Sequence, residues 1–288
     1  GKFFPPFSGG IENFMWDLLD ACAARKVDQM AIVHHHRPGA VTLREQVRTG
    51  RNGPVEIVRV RSFGQVLYAP VAPGFGRAME EAARAFRPDL VHVHMANLSA
   101  FWLLRSRSLR DVPWIVHWHA DVAADTMSPG LALAYRAYGP LEQALLKRAA
   151  RVIVTSPPYL DSSKALAPWR EKCVVIPLGL DARRLEATDH RSGAMGDPAF
   201  PGRDGVGGGL GLLFVGRLSA YKGLDTLISA VHAVPEVQLV IAGEGEERPT
   251  LAALVRRLDL QSRVSLPGHV SDGRKMQLLR DADLLCLP

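Results

Sequence analysis

The fold of this chain is constrained most by a regular alternation between short apolar runs and amphipathic helical stretches. Short runs of Val, Ile and Leu are typical of buried strands, whereas apolar residues three and four positions apart are typical of helices. The predicted strands are Met30–Val33, Val55–Val60, Leu90–His94, Trp114–His117, Val152–Thr155 and Val174–Ile176, then Leu212–Val215, Val237–Ala242, Val264–Leu266 and Leu284–Leu287. Strands separated by helices pair in parallel through right-handed crossovers. The sequence therefore predicts the α/β class, with doubly wound parallel sheets.

A glycine- and proline-rich stretch between residues 187 and 209 interrupts this alternation. It holds seven glycines and two prolines, and too few apolar side chains to offset the entropy of ordering. We predict a first domain at residues 1–186, a linker at 187–209 and a second domain at 210–288. Two such domains in tandem place a ligand cleft between the carboxyl ends of their sheets. The second domain has about four strands, few for such a sheet, so we expect it to be incomplete.

Composition excludes several classes of protein. With 47% hydrophobic and 22% charged residues the chain is globular, and no apolar run is long enough to span a membrane. Cys22, Cys173 and Cys286 lie far apart, which excludes a disulfide scaffold or zinc ribbon and favours a reducing compartment. The net charge of +6 predicts affinity for anions such as nucleotides, anionic lipid surfaces or nucleic acid.

Two segments suit phosphate binding. Gly9 and Gly10 directly precede an amphipathic helix, whose first N–H groups attract anions, although a plain loop-to-helix turn has the same pattern. Further along, a predicted strand ends at Gly216 and is followed by Arg217 and Lys222. We predict that Lys222 lies in the first turn of the next helix, where the helix dipole disfavours a cation unless an anion is bound. The alternative to phosphate binding is that Arg217 and Lys222 are ordinary solvated cations of the surface.

A third glycine segment, 243–245, follows the next predicted strand. Its glycines would let a ligand approach the backbone, but the spacing is not that of a dinucleotide fingerprint. Glu246 and Glu247 are predicted to complement the dipole of the following helix. The sequence has neither the nucleophile elbow of a hydrolase nor a P-loop.

Histidines end two of the predicted strands. His119 and Asp121 follow the strand that ends at His117, in a position where His119 could exchange a proton. His92 and His94 share one face of their strand, and a buried, hydrogen-bonded histidine is the alternative there. The consecutive histidines 34–36 point alternately to opposite sides and cannot easily share an ion, so we expect no metal site. The segment 101–110 mixes aromatic and basic residues, which suits either an anionic membrane or an ordinary solvated helix face.

Taken together and in order, these segments resemble a family 4 glycosyltransferase of GT-B fold. The resemblance covers nearly the whole chain and is carried by the segments 6–12, 89–94, 118–121, 176–181, 215–218, 222–224, 242–245, 266–270 and 281–284. It implies two Rossmann-like domains that face each other across a cleft, the first on the acceptor side and the second binding a nucleotide-sugar. It also implies retaining transfer of a hexose from a nucleoside diphosphate sugar, with no cofactor and no required metal.

The resemblance also assigns roles to residues. The predicted catalytic residues are His119, which would contact the transferred sugar, and Arg217 and Lys222, which would neutralise the leaving diphosphate. The predicted donor-binding residues are Gly9, Gly10, Asp121, Gly216, Gly243, Glu244 and Val270. Family members carry a paired-glutamate motif and a closing helix beyond the position of Pro288, so we expect the chain as given to be truncated and inactive by itself.

The same resemblance implies the biological setting. We expect a hexosyltransferase in cell-surface polysaccharide or glycolipid synthesis, acting on a glycan or lipid-linked acceptor. Its expected location is cytoplasmic and peripheral, at the inner face of an anionic membrane. A nucleotide-sugar-binding or regulatory protein without turnover is the alternative. Nucleic acid is not an expected partner, because the basic residues are scattered and no recognition motif is present.

Overall fold

The computed structural model describes residues 1–7, 9–49, 53–66, 69–122, 129–179, 200 and 209–288. The chain divides into two compact units, Gly1–Leu180 and Asp181–Pro288. The predicted linker at 187–209 lies outside the described residues, apart from Phe200 and Gly209. The exact domain boundaries therefore stay a prediction.

Two sheets form the centre of the first unit. One has the strand order β1-β3-β2, and its strands are β1 (Met30–His34), β2 (Leu43–Arg48) and β3 (Pro54–Val60). In this sheet β1 is parallel to β3, whereas β2 is antiparallel to it. A small hairpin joins β4 (Gln65–Val66) and β5 (Ala69–Pro70). The other sheet is wholly parallel, and its strands in order are β6 (Val91–Met95), β7 (Trp114–Trp118), β8 (Arg151–Val154) and β9 (Cys173–Val175).

Helical segments connect the strands of the parallel sheet, as the alternation predicts, whereas β1 to β5 follow one another with no described helix between them. The α-helices of the first unit are α1 (Gly10–Ala23), α2 (Phe75–Phe86), α3 (Pro129–Arg148) and α4 (Pro157–Ser162), and two 3₁₀ segments occupy Leu98–Arg105 and Ala167–Lys172. Within the segment 101–110 the helical run is of 3₁₀ type and ends at Arg105. Ser106 ends it: its hydroxyl donates to Glu80 and accepts from the amide of Leu109 at 3.2 Å.

The second unit is a four-stranded parallel sheet with helices on both faces. Its strands in spatial order are β12 (Val264–Gly268), β11 (Gln238–Ala242), β10 (Gly211–Val215) and β13 (Leu284–Leu285). A 3₁₀ turn at Ala220–Lys222 precedes the α-helices α5 (Leu224–Ala233), α6 (Arg248–Arg257) and α7 (Asp272–Asp281). Phe214 packs with Ile228 in one apolar cluster, and Leu213 packs with Leu278 in a second cluster. Because adjacent residues of one strand point to opposite faces, α5 and α7 cover opposite sides of the sheet.

The predicted α/β class with two doubly wound, Rossmann-like units is confirmed. Strand order reverses at β10, which has β11 on one side and β13 on the other. In open sheets of this kind ligands bind beside the carboxyl ends of the strands where the order reverses. Among the described helices, none is both long enough and apolar enough to cross a lipid bilayer.

Candidate functional site

The first candidate segment is the start of α1. Gly9 occupies the N-cap position and, being a glycine, has no side chain to cap the first turn. A Cβ atom on Gly9 would overlap the carboxylate of Glu12, whereas a Cβ on Gly10 would meet no atom within 4 Å. Burial raises the pKa of Glu12, and a hydrogen bond from its own backbone amide and the nearby Lys2 oppose that shift. The Glu12 carboxylate therefore occupies the Gly9 side of this helix start and the Gly10 side is open, and contact of Gly9 and Gly10 with the donor stays a prediction.

His119 follows β7 and faces the same helix. Its amide donates to the carbonyl of Met95 at 3.3 Å, and its Nε2 lies 3.0 Å from Nδ1 of His94. Phe14 of α1 packs edge-on against the His119 ring, with the ring centroids 5.5 Å apart. Burial lowers the pKa of His119 to about 4, and a smaller effect comes from His92. A neutral imidazole at neutral pH can orient a hydroxyl group by hydrogen bonding.

Asp121 is tied to the protein by three donors. One carboxylate oxygen accepts from Trp118 Nε1 at 2.6 Å, from the Tyr159 hydroxyl at 2.7 Å and from the Ser163 hydroxyl at 2.8 Å. These contacts join the end of β7 to α4. Binding of the donor by Asp121 stays a prediction. The observed contacts of the Asp121 side chain are those of a residue that holds β7 and α4 together.

The second unit gathers its candidate residues on loops after β10 and β11. The amide of Gly216 donates to Ala242 at 3.0 Å, that of Leu218 to Glu244 at 3.0 Å, and that of Gly243 to Gly268 at 2.8 Å. Gly243 has φ +148°, and a Cβ there would overlap the carbonyl oxygen of Gly216. Both Gly243 and Gly245 make room for the neighbouring main chain, since a Cβ on Gly245 would overlap the carbonyl oxygen of Leu218, and their role in letting a ligand approach stays a prediction.

Arg217 projects from this interlocked pair of loops. Its side chain is 61% exposed and pairs with Glu246, with Nη2 and Oε2 3.2 Å apart. Glu246 was predicted to complement a helix dipole. That prediction was wrong, because α6 begins only at Arg248 and the carboxylate binds Arg217 instead. A hydrogen bond from its own backbone amide, aided by the charge of Arg217, lowers the pKa of Glu246.

Lys222 lies in the 3₁₀ turn that precedes α5. Its Nζ sits 5.1 Å from the centroid of the exposed Tyr221 ring. The prediction that Lys222 lies in the first turn of the next helix was wrong, because Gly223 adopts φ +61° and α5 begins at Leu224. A left-handed residue ends one helical run before the next begins. The argument from the helix dipole therefore does not apply to Lys222.

The other donor-binding candidates flank the same loops. Glu244 approaches Arg248, with Oε2 and Nε 3.7 Å apart. Val270 follows β12 and packs against the cluster of Phe200, Leu213 and Leu278. Main-chain hydrogen bonds thus bring together four of the candidates, Gly216, Arg217, Gly243 and Glu244. Val270 lies close in sequence to Gly268, whose carbonyl accepts the hydrogen bond from the Gly243 amide. Roles for these residues in donor binding stay predictions.

The structure also contains a group of histidines that the sequence did not reveal as a unit. His92 and His94 on β6 and His117 on β7 share one face of the parallel sheet, and His119 continues the row. Their neighbouring ring centroids lie 4.3–5.5 Å apart. The pattern H-x-H at the ends of two consecutive strands was visible, but the register that sets His94 opposite His117 was not.

Comparison with family models covers almost the whole chain. Residues 9–179 match the model described as glycosyl transferase 4-like domain. Residues 207–288 match the model described as glycosyl transferases group 1. The two matches correspond to the two units of the structure.

Individual relatives point the same way. O-antigen chain mannosyltransferase C of Escherichia coli is 26% identical over 284 residues, which is 96% of this chain and 68% of the relative. D-rhamnosyltransferase WbpZ of Pseudomonas aeruginosa is 29% identical over 61% of this chain, which spans 42% of that relative. Among solved structures, sucrose-phosphate synthase from Thermosynechococcus elongatus superposes with a TM-score of 0.72 at 21% identity, covering 98% of this chain and 70% of that one. At that identity the likeness shows the fold alone.

Proposed function

This chain belongs to the glycosyl transferase 4-like family, and we propose that it moves a hexose from a nucleoside diphosphate sugar to a glycan or lipid-linked acceptor. The coarser statement, a glycosyltransferase of GT-B type, follows from the family and the fold. The finer one is supported by relatives whose names give mannose and D-rhamnose as the transferred sugars. Synthesis of a surface polysaccharide or glycolipid is proposed from the O-antigen relative.

The observation that carries this proposal is the position of Arg217. It extends from loops fixed by main-chain bonds, at the carboxyl end of the strand where sheet order reverses. Among the described residues, the one side-chain partner of its guanidinium is Glu246, in a solvent-exposed pair of a kind worth about 0–1 kcal/mol. A diphosphate could displace that carboxylate and accept two parallel hydrogen bonds from the guanidinium.

The chemistry of transfer explains why a fixed cation is useful there. Breaking the bond between sugar and diphosphate builds negative charge on the leaving oxygen, and preorganised positive groups stabilise that charge. Lys222 would add a second cation from the same unit. We propose that these two side chains make a metal ion unnecessary for departure of the diphosphate. His119, neutral at the end of β7, would orient a hydroxyl of the transferred sugar.

Retention of configuration is proposed from the resemblance to family 4 enzymes alone. This proposal is tested by NMR, which gives the anomeric configuration of the product for comparison with that of the donor. The competing function, nucleotide-sugar binding without turnover, uses the same loops. It is distinguished by incubating the full-length protein with its tightest-binding nucleotide-sugar and candidate acceptors and following release of the nucleoside diphosphate.

The leaving-group role is tested by nucleotide affinity. A panel of nucleoside diphosphates and their sugars is screened by thermal shift, and the best ligand is measured by calorimetry. We expect Arg217→Ala and Lys222→Ala each to weaken binding of the nucleoside diphosphate by about 10-fold, since each loses a charge-assisted contact. Lys275→Ala is the matched control, because Lys275 is a cation of the same unit that pairs with Asp272. Unchanged affinity in both Arg217→Ala and Lys222→Ala would reject the role.

A second variant separates sugar contact from nucleotide binding. We expect His119→Ala to lower turnover by about 10- to 100-fold while the affinity for the nucleoside diphosphate stays within twofold, because the histidine belongs to the first unit and would touch only the sugar. Full turnover in this variant would remove His119 from the site.

A further inference from the structure

Three histidines on neighbouring strands form a compact set of nitrogen ligands. His92 and His94 are two residues apart on β6, so they share a face, and His117 on β7 is the register partner of His94. One ring nitrogen from each lies within 4.8 Å of the other two. Within the described ranges this is the one group of three potential ligands that comes together in this way.

Three of the ring nitrogens in this group lack a partner among the described residues, which is unusual for buried histidines. Both ring nitrogens of His117, which is 3% exposed, and Nε2 of His92 are buried without a hydrogen bond to any described residue. A buried polar atom left unpaired costs about 1–3 kcal/mol, so such atoms are rare unless something binds them.

A second buried histidine of the same unit shows the contrast. His34 is fully buried, its Nδ1 lies 2.5 Å from the carbonyl of Lys2, and its Nε2 lies 2.8 Å from the hydroxyl of Ser99. Both of its ring nitrogens are therefore accounted for by the protein. His117 lies in an equally closed position and has neither nitrogen accounted for.

We propose that His92, His94 and His117 form a binding site for one divalent late transition-metal ion, with Zn²⁺ the expected occupant. A set of three imidazoles without a carboxylate suits Zn²⁺, Ni²⁺ or Cu²⁺ and does not suit Mg²⁺ or Ca²⁺, which prefer oxygen. Three histidines with a fourth position open to water are an established arrangement for zinc. The ion is additional to the proposed transfer reaction, and the proposal does not depend on that reaction.

The three rings are stacked at angles of 10–22° to one another, so binding one ion requires them to rotate until a nitrogen of each points to the same centre. Nitrogens around a tetrahedral Zn²⁺ at about 2.0–2.1 Å lie roughly 3.4 Å apart. The ligand atoms, at most 4.8 Å apart here, would close by rotation of the imidazoles. Nδ1 of His94 already faces His119 at 3.0 Å, which leaves Nε2 of His94 for the ion. His119 would then be the outer partner that fixes the ring of His94, as is usual for metal-bound histidine.

The test uses the metal alone and no substrate. Protein without a histidine tag is stripped with chelator and titrated with Zn²⁺ by calorimetry and with Co²⁺ by visible absorption. We expect one ion per chain with micromolar or tighter affinity and the absorption of tetrahedral Co²⁺. His92→Gln and His117→Gln should each weaken binding by at least about 10-fold.

The controls are His232→Gln and His269→Gln, two exposed histidines of the other unit, which should bind like the wild type. Because His92 is only half-buried, we expect His92→Gln to fold. This variant therefore tests metal binding even where His117→Gln fails to fold. Absence of stoichiometric binding by the wild type would overturn the proposal. So would undiminished binding in a folded His92→Gln, or an equal loss in the two control variants. Because no sugar or nucleotide is present, failure here leaves the proposed transferase function untouched.

Discussion

Gly243 holds a backbone angle that residues with a side chain rarely adopt. With φ +148° and the carbonyl oxygen of Gly216 in the place that a Cβ would occupy, the change Gly243→Ala would force the two loops of the second unit apart. We expect a loss of about 2–4 kcal/mol in the free energy of unfolding of that unit, measured by urea titration. Nucleotide affinity should fall with it, since the loops carry Arg217.

Gly273→Ala is the matched control for this prediction. Gly273 lies in α7, and a Cβ there would meet no atom within 4 Å. Alanine is the better helix former, so this variant should be as stable as the wild type or up to about 1 kcal/mol more stable. Equal stability of the two variants would show that the loops are not locked at Gly243.

Glu142 makes stability depend on pH. Burial raises the pKa of this residue of α3 from 4.5 to about 7, although the Tyr135 hydroxyl donates to one carboxylate oxygen. The raised value means that the folded state binds an extra proton between those two pKa values. The stabilising contribution is complete below about pH 4.5 and is lost as the pH rises through about 7.

Glu142→Gln removes this dependence. The variant keeps the shape of the protonated side chain, so it should match the wild type near pH 5 and exceed it by about 2 kcal/mol near pH 8.5 in urea unfolding. The exposed Glu171→Gln of the same unit should run parallel to the wild type at both pH values. A constant difference between Glu142→Gln and the wild type across this range would contradict the assignment.

At the scale of elements, Asp121 joins the end of β7 to α4 through the three donors on Trp118, Tyr159 and Ser163. Asp121→Asn replaces one acceptor oxygen with an amide that cannot accept, so a buried donor loses its partner. We expect a loss of about 1–3 kcal/mol in stability and less than a twofold change in nucleotide-sugar affinity. The opposite result, a large loss of affinity with unchanged stability, would establish Asp121 as a donor ligand. The surface residue Asp161, which pairs with Arg170, provides the control Asp161→Asn.

The strands of the parallel sheets could be predicted because their apolar runs are continuous. The strand β2 could not, because Leu43–Arg48 is a largely exposed antiparallel edge strand rich in charged and polar residues. Its ladder with β3 is supported by ion pairs such as Arg44–Glu56, and such cross-strand pairs depend on register. The spacing of apolar residues along the sequence does not predict the register between two such strands.

In the candidate site, too, some features could be predicted from the sequence and others could not. Sequence placed Arg217 correctly after a strand, because strand ends are marked by glycine and the loss of apolar residues. It misplaced the start of the helix after Lys222, because the left-handed angle at Gly223 is a local backbone choice. The sequence did not reveal the group of histidines on β6 and β7, because the pairing of His94 with His117 depends on the register between the two strands.

At the scale of the whole molecule, the positive charge belongs to the first unit, which has 22 Lys and Arg against 15 Asp and Glu, whereas the second unit has 13 against 14. Arg105, Arg107 and Arg110 are exposed around a cavity of about 290 Å³, and Arg105 also lines a second cavity together with Trp102, which is 40% exposed. Arg148 also lines this cavity but donates to backbone carbonyls and lies over the Trp114 ring, so it has a structural role. Exposed arginines beside an aromatic side chain suit the headgroup region of an anionic membrane.

We therefore predict salt-sensitive binding of the protein to vesicles that contain anionic lipid, and none to neutral vesicles. Each arginine near such a surface contributes about 1 kcal/mol, so the double variant Arg107→Ala/Arg110→Ala should reduce the fraction that cosediments with vesicles, with a partition coefficient lower by about 10- to 30-fold. Raising the salt concentration should have the same effect, because it shortens the range of the attraction. The double variant Arg256→Ala/Arg257→Ala removes two exposed cations from α6 of the second unit, with the same change in net charge. If both double variants lose binding equally, net charge alone and not the surface around Trp102 governs the association.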